Sequence, residues 1–256
     1  MKNYYFLADA HLGSRALQHD RTRERRLVNF LDAIKDRAEA VYLLGDMLDF
    51  WFEYKDVVPK GYTRFLGKLS ELTDRGVEVH YFQGNHDMWC GDYLEKECGV
   101  IVHKRALTTE ICGRVFFMAH GHGLDYRDRT WRIRLMHRCF ESPLLIRLAR
   151  MIHPHWFVNW GLNWSKNNRH YHMQEGEPAY MGDDKEGLVL FARDYLQKHP
   201  EINHFLFGHR HIELDTQLTP TCRLSILGQW YSLFTYAVFD GERFYMENYV
   251  EGETQL

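Results

Sequence analysis

Five apolar runs of strand length along this chain each give way to a polar cluster of Asp, Asn and His, most of them opening on glycine. The clusters are Asp9-x-His11 after residues 4–8, Gly45-Asp46-x-x-Asp49 after 40–44, and Gly84-Asn85-His86-Asp87 after 77–82. Two more follow, His120-Gly121-His122 after 114–119, and Gly208-His209-Arg210-His211. Helix-period segments near 24–37 and 62–74 separate the first three runs, which predicts the β-α-β-α order of a parallel sheet. In such sheets functional groups gather beyond the carboxyl ends of the strands, so clusters far apart in sequence can meet at one place.

The glycines are expected to let the backbone turn sharply into each cluster. A D-x-H alone carries no information, since about 0.6 are expected by chance in a chain of this length, whereas G-N-H-D is expected roughly 0.002 times. The ordered set is therefore specific. Imidazole, carboxylate and amide donors with no thiolate suit Mn, Fe or Zn. Most isolated histidines are structural, and His80, His103, His137, His153, His170, His199 and His204 read that way. Asp49 and Asp87 read as groups that orient ligands, and His122 as a supporting hydrogen-bond partner.

The later part of the chain differs. Residues 107–111, a Cys112-Gly113 turn and 114–119 predict a hairpin, while 225–227, 233–239, an Asp240-Gly241 turn and 243–249 predict antiparallel strands, so the sheet should be mixed. Residues 126–171 interrupt this pattern. Ser142-Pro143 should start a helix over 144–152, and His153-Pro154 should end it and admit another. The expectation is one domain over 1–256 with a helical insertion at 126–171.

Charge is segregated. Between 126 and 150 seven arginines face only Asp128 and Glu141, a formal +5 in a chain of net −3, so the remainder carries −8. Trp156, Trp160 and Trp164 recur at i, i+4, i+8, one face of a helix. They either pack the insertion onto the main body or meet lipid, and the residues alone leave both open.

With 45% hydrophobic and 26% charged residues and a mean hydropathy of −0.48, the 256-residue chain falls among soluble globular proteins. Its net charge of −3 argues against nucleic acid as a partner. Five cysteines without a CxxC indicate neither a disulfide framework nor a zinc ribbon and fit a reducing cytoplasm. The first residues are too quickly charged for a signal peptide, and the longest uncharged stretch, 224–239, is too short and too polar to span a bilayer.

The series Asp9-x-His11, Gly45-Asp46-x-x-Asp49, Gly84-Asn85-His86-Asp87, His120 and Gly208-His209-x-His211 resembles the calcineurin-like metallophosphoesterase superfamily over residues 4–249. The resemblance implies a four-layer α/β-β-α sandwich with mixed sheets and two divalent metals, manganese first, with iron or zinc also suited. It implies that one metal takes Asp9, His11, Asp46 and His211, that the other takes Asp46, Asn85, His120 and His209, and that Asp46 bridges. Two such ions can activate water and clamp a phosphoryl group. Asn85 can ligate through its amide oxygen and donate from its NH₂ to phosphate. His86 has no place in that ligand set and becomes the candidate to protonate the leaving oxygen or stabilise developing charge.

A closer resemblance is to the UDP-2,3-diacylglucosamine hydrolases of lipid A biosynthesis. It rests on Tyr5-Phe6-Leu7-Ala8-Asp9-x-His11-Leu12-Gly13, Gly45-Asp46-x-x-Asp49-x-Trp51, the insertion after His120, and Leu227-Gly228-x-Trp230. It implies cleavage of a pyrophosphate to UMP and a diacyl sugar phosphate, with inserted helices as a lid for the acyl chains. By position it also implies substrate contacts from Asn85, His86, Asp128, Ser165 and His209. The proteobacterial members carry Asn-Arg-Asp where this chain has Asn85-His86-Asp87, and an imidazole lacks the planar fork of a guanidinium. The basic and aromatic insertion would suit a peripheral enzyme on an anionic lipid surface, the cytoplasmic face of the inner membrane. A metal-dependent phosphodiesterase or nucleotide pyrophosphatase with a non-lipid substrate is the alternative.

Overall fold

The computed structural model describes residues 2–126, 130–174 and 179–250. The first half alternates as expected: β1 (Asn3–Leu7), α1 (Asp20–Ile34), β2 (Ala38–Leu43), α2 (Thr63–Asp74), β3 (Glu78–Phe82), α3 (Tyr93–Cys98) and the short β4 (Ile101–His103). These four strands are parallel, and β10 (Thr235–Phe239) and β11 (Phe244–Asn248) extend the sheet antiparallel, in the order β11-β10-β1-β2-β3-β4. A second sheet has the order β5-β6-β7-β9-β8, from β5 (Leu107–Ile111), β6 (Arg114–Ala119), β7 (His204–Phe207), β8 (Glu213–Thr219) and β9 (Cys222–Leu227). Its centre is parallel and its two edges are antiparallel. Both sheets are thus mixed.

Strand alternation divides the apolar residues among layers. Along β1, Tyr5 and Leu7 face α1–α3, while Phe6 and the following Ala8 join Tyr42, Phe82, Phe116 and Leu206 between the sheets. Phe117, Phe205 and Phe207 face the other way, onto α7 (Gly187–Leu196). The stack is helix, sheet, sheet, helix, and each fully buried Phe contributes about 1.5–3 kcal/mol of transfer free energy.

Between β6 and α7 lie α4 (Trp131–Glu141), α5 (Pro143–Ala149) and α6 (Pro154–Gln174). Pro143 opens α5 at its first position and Thr130 caps α4 by accepting from Ile133 N. One side of these helices packs through Phe140, Ile146, Phe157, Val158 and Leu162 on Phe50, Phe52 and Trp89 of the main body. Trp89 Nε1 donates to Phe140 O at 2.9 Å and Arg150 Nε to Glu53 O at 3.1 Å. The other side is open: Met151 is 81% exposed, Trp156 70%, Leu144 66% and Trp131 65%. No helix among the described residues is long and apolar enough to cross a membrane, and all five cysteines are free.

Candidate metal centre

The loops that leave β1, β2, β3, β6 and β7 at their carboxyl ends converge. Asp9, His11, Asp46, Asn85, His86, His120, His209 and His211, drawn from five loops, stand together there. Asp9, His11 and His211 offer donor atoms all within 4.8 Å of one another, as do His11, Asp46 and His86, and Asp9, Asp46 and His120. His209 belongs to none of these triads, but its ring lies 5.1 Å from that of His120. Asn85 turns its Oδ1 to His120 Nε2 at 3.1 Å.

The backbone here is unusual. Asp9, His11, Asp46, His209 and His211 all have φ between 43° and 68°, the left-handed region that costs a non-glycine residue about 1–3 kcal/mol. Backbone bonds hold the loops in it, with His11 N donating to Asp46 O at 2.9 Å and Gly208 N to His120 O at 2.9 Å. Of the glycines that precede the clusters, Gly45 makes the expected turn at φ 86°, whereas Gly84 and Gly208 serve a different end. A Cβ on Gly84 would fall 2.1 Å from Asp46 Oδ1, and one on Gly208 2.6 Å from Asp9 Oδ2. Neither has positive φ; both are glycine because a carboxylate occupies the space. The following backbone then binds those carboxylates, His86 N to Asp46 Oδ1 at 2.8 Å and His209 N to Asp9 Oδ2 at 2.8 Å.

Four imidazoles are oriented through Nδ1. His120 Nδ1 is 2.8 Å from Leu44 O, His86 Nδ1 3.0 Å from Asp49 O, His11 Nδ1 3.2 Å from Asp49 Oδ1, and His211 Nδ1 3.1 Å from Tyr231 Oη. Where Nδ1–H is donated to a backbone carbonyl, as in His120 and His86, Nε2 is the nitrogen left to face the centre. His11 Nε2 and His211 Nε2 stand 3.1 Å apart there, and His120 Nε2 lies 3.3 Å from Asp46 Oδ2. Lone pairs that close repel unless a cation or proton lies between them, and the nitrogen and oxygen donors fit divalent transition metals.

Electrostatics agree with the geometry. Burial opposes ionisation of Asp46, yet His120 and His86 hold its carboxyl well below the usual range. Burial likewise works against a charged His120, but Asp46 beside it raises its pKa to about 10. Asp87 is pushed up to about 6, by burial first and then by Asp46. It accepts from Gly84 N, Asp46 N, Leu48 N and Tyr81 Oη, so it staples the second and third loops together as an orienting group.

Ser165 lies on α6 and is buried, with its Oγ donating to Asp49 Oδ2 at 2.7 Å. Asp128 lies outside the described residues. Tyr231, the partner of His211, was not anticipated, although it directly follows the Trp230 singled out in the sequence. Arg210, between His209 and His211, was also missed. Its buried guanidinium lies 2.6 Å from Glu186 Oε1 and 3.8 Å from Asp125 Oδ2.

No family model matches the chain. A UDP-2,3-diacylglucosamine hydrolase of Porphyromonas gingivalis is 42% identical over 257 residues, covering 95% of this chain and 96% of that protein. The chain belongs to the UDP-2,3-diacylglucosamine hydrolase family. A second member, from Actinobacillus succinogenes, is 25% identical over 235 residues, 90% of this chain and 92% of that protein. Among solved structures, a dimetal phosphatase from Danio rerio aligns over 96% of this chain and 95% of its own with 14% identity and a TM-score of 0.49. This family member is thus a hydrolase whose buried Asp and His groups could hold metal.

Proposed function

We propose that this chain hydrolyses the pyrophosphate of UDP-2,3-diacylglucosamine, giving UMP and 2,3-diacylglucosamine 1-phosphate, with two divalent ions, manganese in the first instance. Family membership supports the substrate; the single structural observation that carries the chemistry is the inward set of Nε2 atoms facing Asp9 and Asp46. Asp9, His11, Asp46 and His211 would hold one ion, and Asp46, Asn85, His120 and His209 the other. When bound, the ions supply Lewis acidity toward the phosphoryl oxygens.

The chain's own groups do the rest. His86 keeps Nδ1–H on Asp49 O, which leaves Nε2 facing the centre, where the protonated ring would give its Nε2 proton to the leaving oxygen or stabilise the charge there. The Asn85 amide can donate to a phosphate oxygen, and His209 and Asp128 are the further substrate contacts. The helices α4–α6 form a lid over 126–171. Its packed side uses Phe157, Val158 and Leu162, so Trp156, fully outside that contact, is available to acyl chains or to an anionic membrane surface on the cytoplasmic side.

The test is a product assay with Mn²⁺, comparing UDP-2,3-diacylglucosamine with UDP-N-acetylglucosamine, which lacks the long acyl chains. Release of UMP from the first and little from the second is expected. Equal turnover of both would point to the nucleotide pyrophosphatase reading.

A further inference from the structure

Asp49, not itself a proposed ligand, reaches two of the site's imidazoles. Its Oδ1 lies 3.2 Å from His11 Nδ1, its backbone oxygen 3.0 Å from His86 Nδ1, and its N donates to Leu12 O at 2.9 Å. It is fully buried. The remaining oxygen, Oδ2, receives the hydroxyl of Ser165 at 2.7 Å, across 116 positions of sequence and from a helix that belongs to α4–α6. Ser165 is itself 1% exposed. A carboxylate in such a place needs its acceptor sites filled, and losing one buried hydrogen bond to a charged group costs more than losing a surface one.

The same helix is fastened to the main body at two other points. Arg15, in the loop between β1 and α1, donates Nη1 to Asn163 Oδ1 at 2.8 Å and Nη2 to Asn159 Oδ1. Gly161 meets the ring of Phe50. Gly161 and Ser165, one turn apart, lie on the packed side of α6, with Ser165 nearest the centre, while Arg15 holds Asn159 and the exposed Asn163 on another side.

We infer that Ser165 is a positioning residue that couples docking of α6 to metal affinity, through Asp49 to His11. The inference rests on the two-metal reading above. Ser165 touches neither metal nor reacting atoms; it sets the carboxylate that aims His11. Partners of this kind, when removed, typically cost a metal site 10- to 100-fold in affinity. Coupling is reciprocal, so an ion that tightens the centre must also tighten the seat of α6 by the same factor.

The experiment follows amide hydrogen exchange of α6 and Mn²⁺ affinity in the full chain, for wild type, Ser165→Ala, Ser165→Thr and the exposed neighbour Asn167→Ala. In wild type, Mn²⁺ should slow exchange over 159–168 as well as in the loops of Asp9 and Asp46. Ser165→Ala should bind Mn²⁺ about tenfold more weakly and lose the slowing over 159–168, while Asn167→Ala keeps both. Ser165→Thr, which retains the hydroxyl, should recover most of the affinity. Slowing in the Asp9 and Asp46 loops with none in α6 would overturn the coupling and leave the metal reading intact. No slowing anywhere would overturn both, and an unchanged affinity in Ser165→Ala would overturn the coupling alone.

Discussion

Gly161 of α6 lies directly against the ring of Phe50: a Cβ at position 161 would stand 2.1 Å from Phe50 Cε2. Phe50 is buried, wedged among Trp89 and Phe157, so its ring has no solvent to retreat into. A helix-interior glycine ordinarily costs about 0.5–1 kcal/mol relative to alanine. Here alanine should be the worse residue. Gly161→Ala is expected to lower stability by about 1–3 kcal/mol through overpacking, and Phe50→Leu in the same chain should restore much of it. Thermal melts of the single and double variants measure this, and a neutral or stabilising Gly161→Ala would show that α6 does not sit this close.

Asp46→Ala should remove more metal than Asp49→Ala. Asp46 Oδ2 faces His120 Nε2 at 3.3 Å and His11 Nε2 at 3.7 Å, between the two proposed ion positions, whereas the Asp49 carboxylate lies beside the outer nitrogen of His11. Elemental analysis should find both ions lost from the Asp46 variant and one weakened in the Asp49 variant. Two ions retained without Asp46 would contradict its bridging role.

His86→Ala should keep both ions and lower kcat by about 10²- to 10⁴-fold, the range of a positioned proton donor. His86 also lies in a donor triad with His11 and Asp46. Loss of metal in this variant would therefore make it a ligand.

The sequence showed the site better than it showed the scaffold around it. Ligand-type residues were legible because each cluster follows an apolar run and three of the five open on glycine, an ordered set too rare to be chance. The strands β4 and β8 were not anticipated: β4 is three residues long, and β8 is an edge strand that reads Glu-Leu-Asp-Thr-Gln-Leu-Thr with half its side chains in water. The helix expected over 24–37 lies at Asp20–Ile34, opened by His19 in a left-handed conformation that has no sequence signature. Ser165 and Asp49 could not be paired from sequence, because nothing local tells which side of α6 docks. The i, i+4, i+8 tryptophan pattern left packing and lipid contact both open.

Stability should fall with acid through a group far from the metals. His103 stacks on Phe82 and His80, and His80 stacks on Tyr42 at 4.4 Å. Burial first, then His80, lowers the His103 pKa to about 4. The unfolded chain takes up a proton near pH 6.5 while the folded one resists until about 4, so the stabilisation is complete above pH 6.5 and is lost as pH falls toward 4. His103→Gln should flatten the loss of Tm between pH 7 and pH 5. Parallel curves for variant and wild type would exclude His103 as a contributor.

The outer side of α4–α6 allows the two readings of the tryptophans to be separated one residue at a time. Trp164 packs edge-on against Phe140 at 5.8 Å and stacks with Trp160 at 6.3 Å, and Trp160 stacks in turn on Phe157 at 5.4 Å. Only Trp156 stands clear of that chain, joined on the open side by Met151 and Leu144. Their burial by an acyl chain could be worth about 1.5–3 kcal/mol each, or roughly ten- to a hundredfold in kcat/KM. Trp156→Ser, Met151→Ser and Leu144→Ser should therefore weaken use of the diacylated substrate while leaving Tm and hydrolysis of a small phosphodiester near wild type. Trp164→Ser should do the reverse in part, lowering Tm and both activities together. If Trp156→Ser lowers both activities in parallel with Tm, the exposed side serves packing and the lid does not receive lipid there.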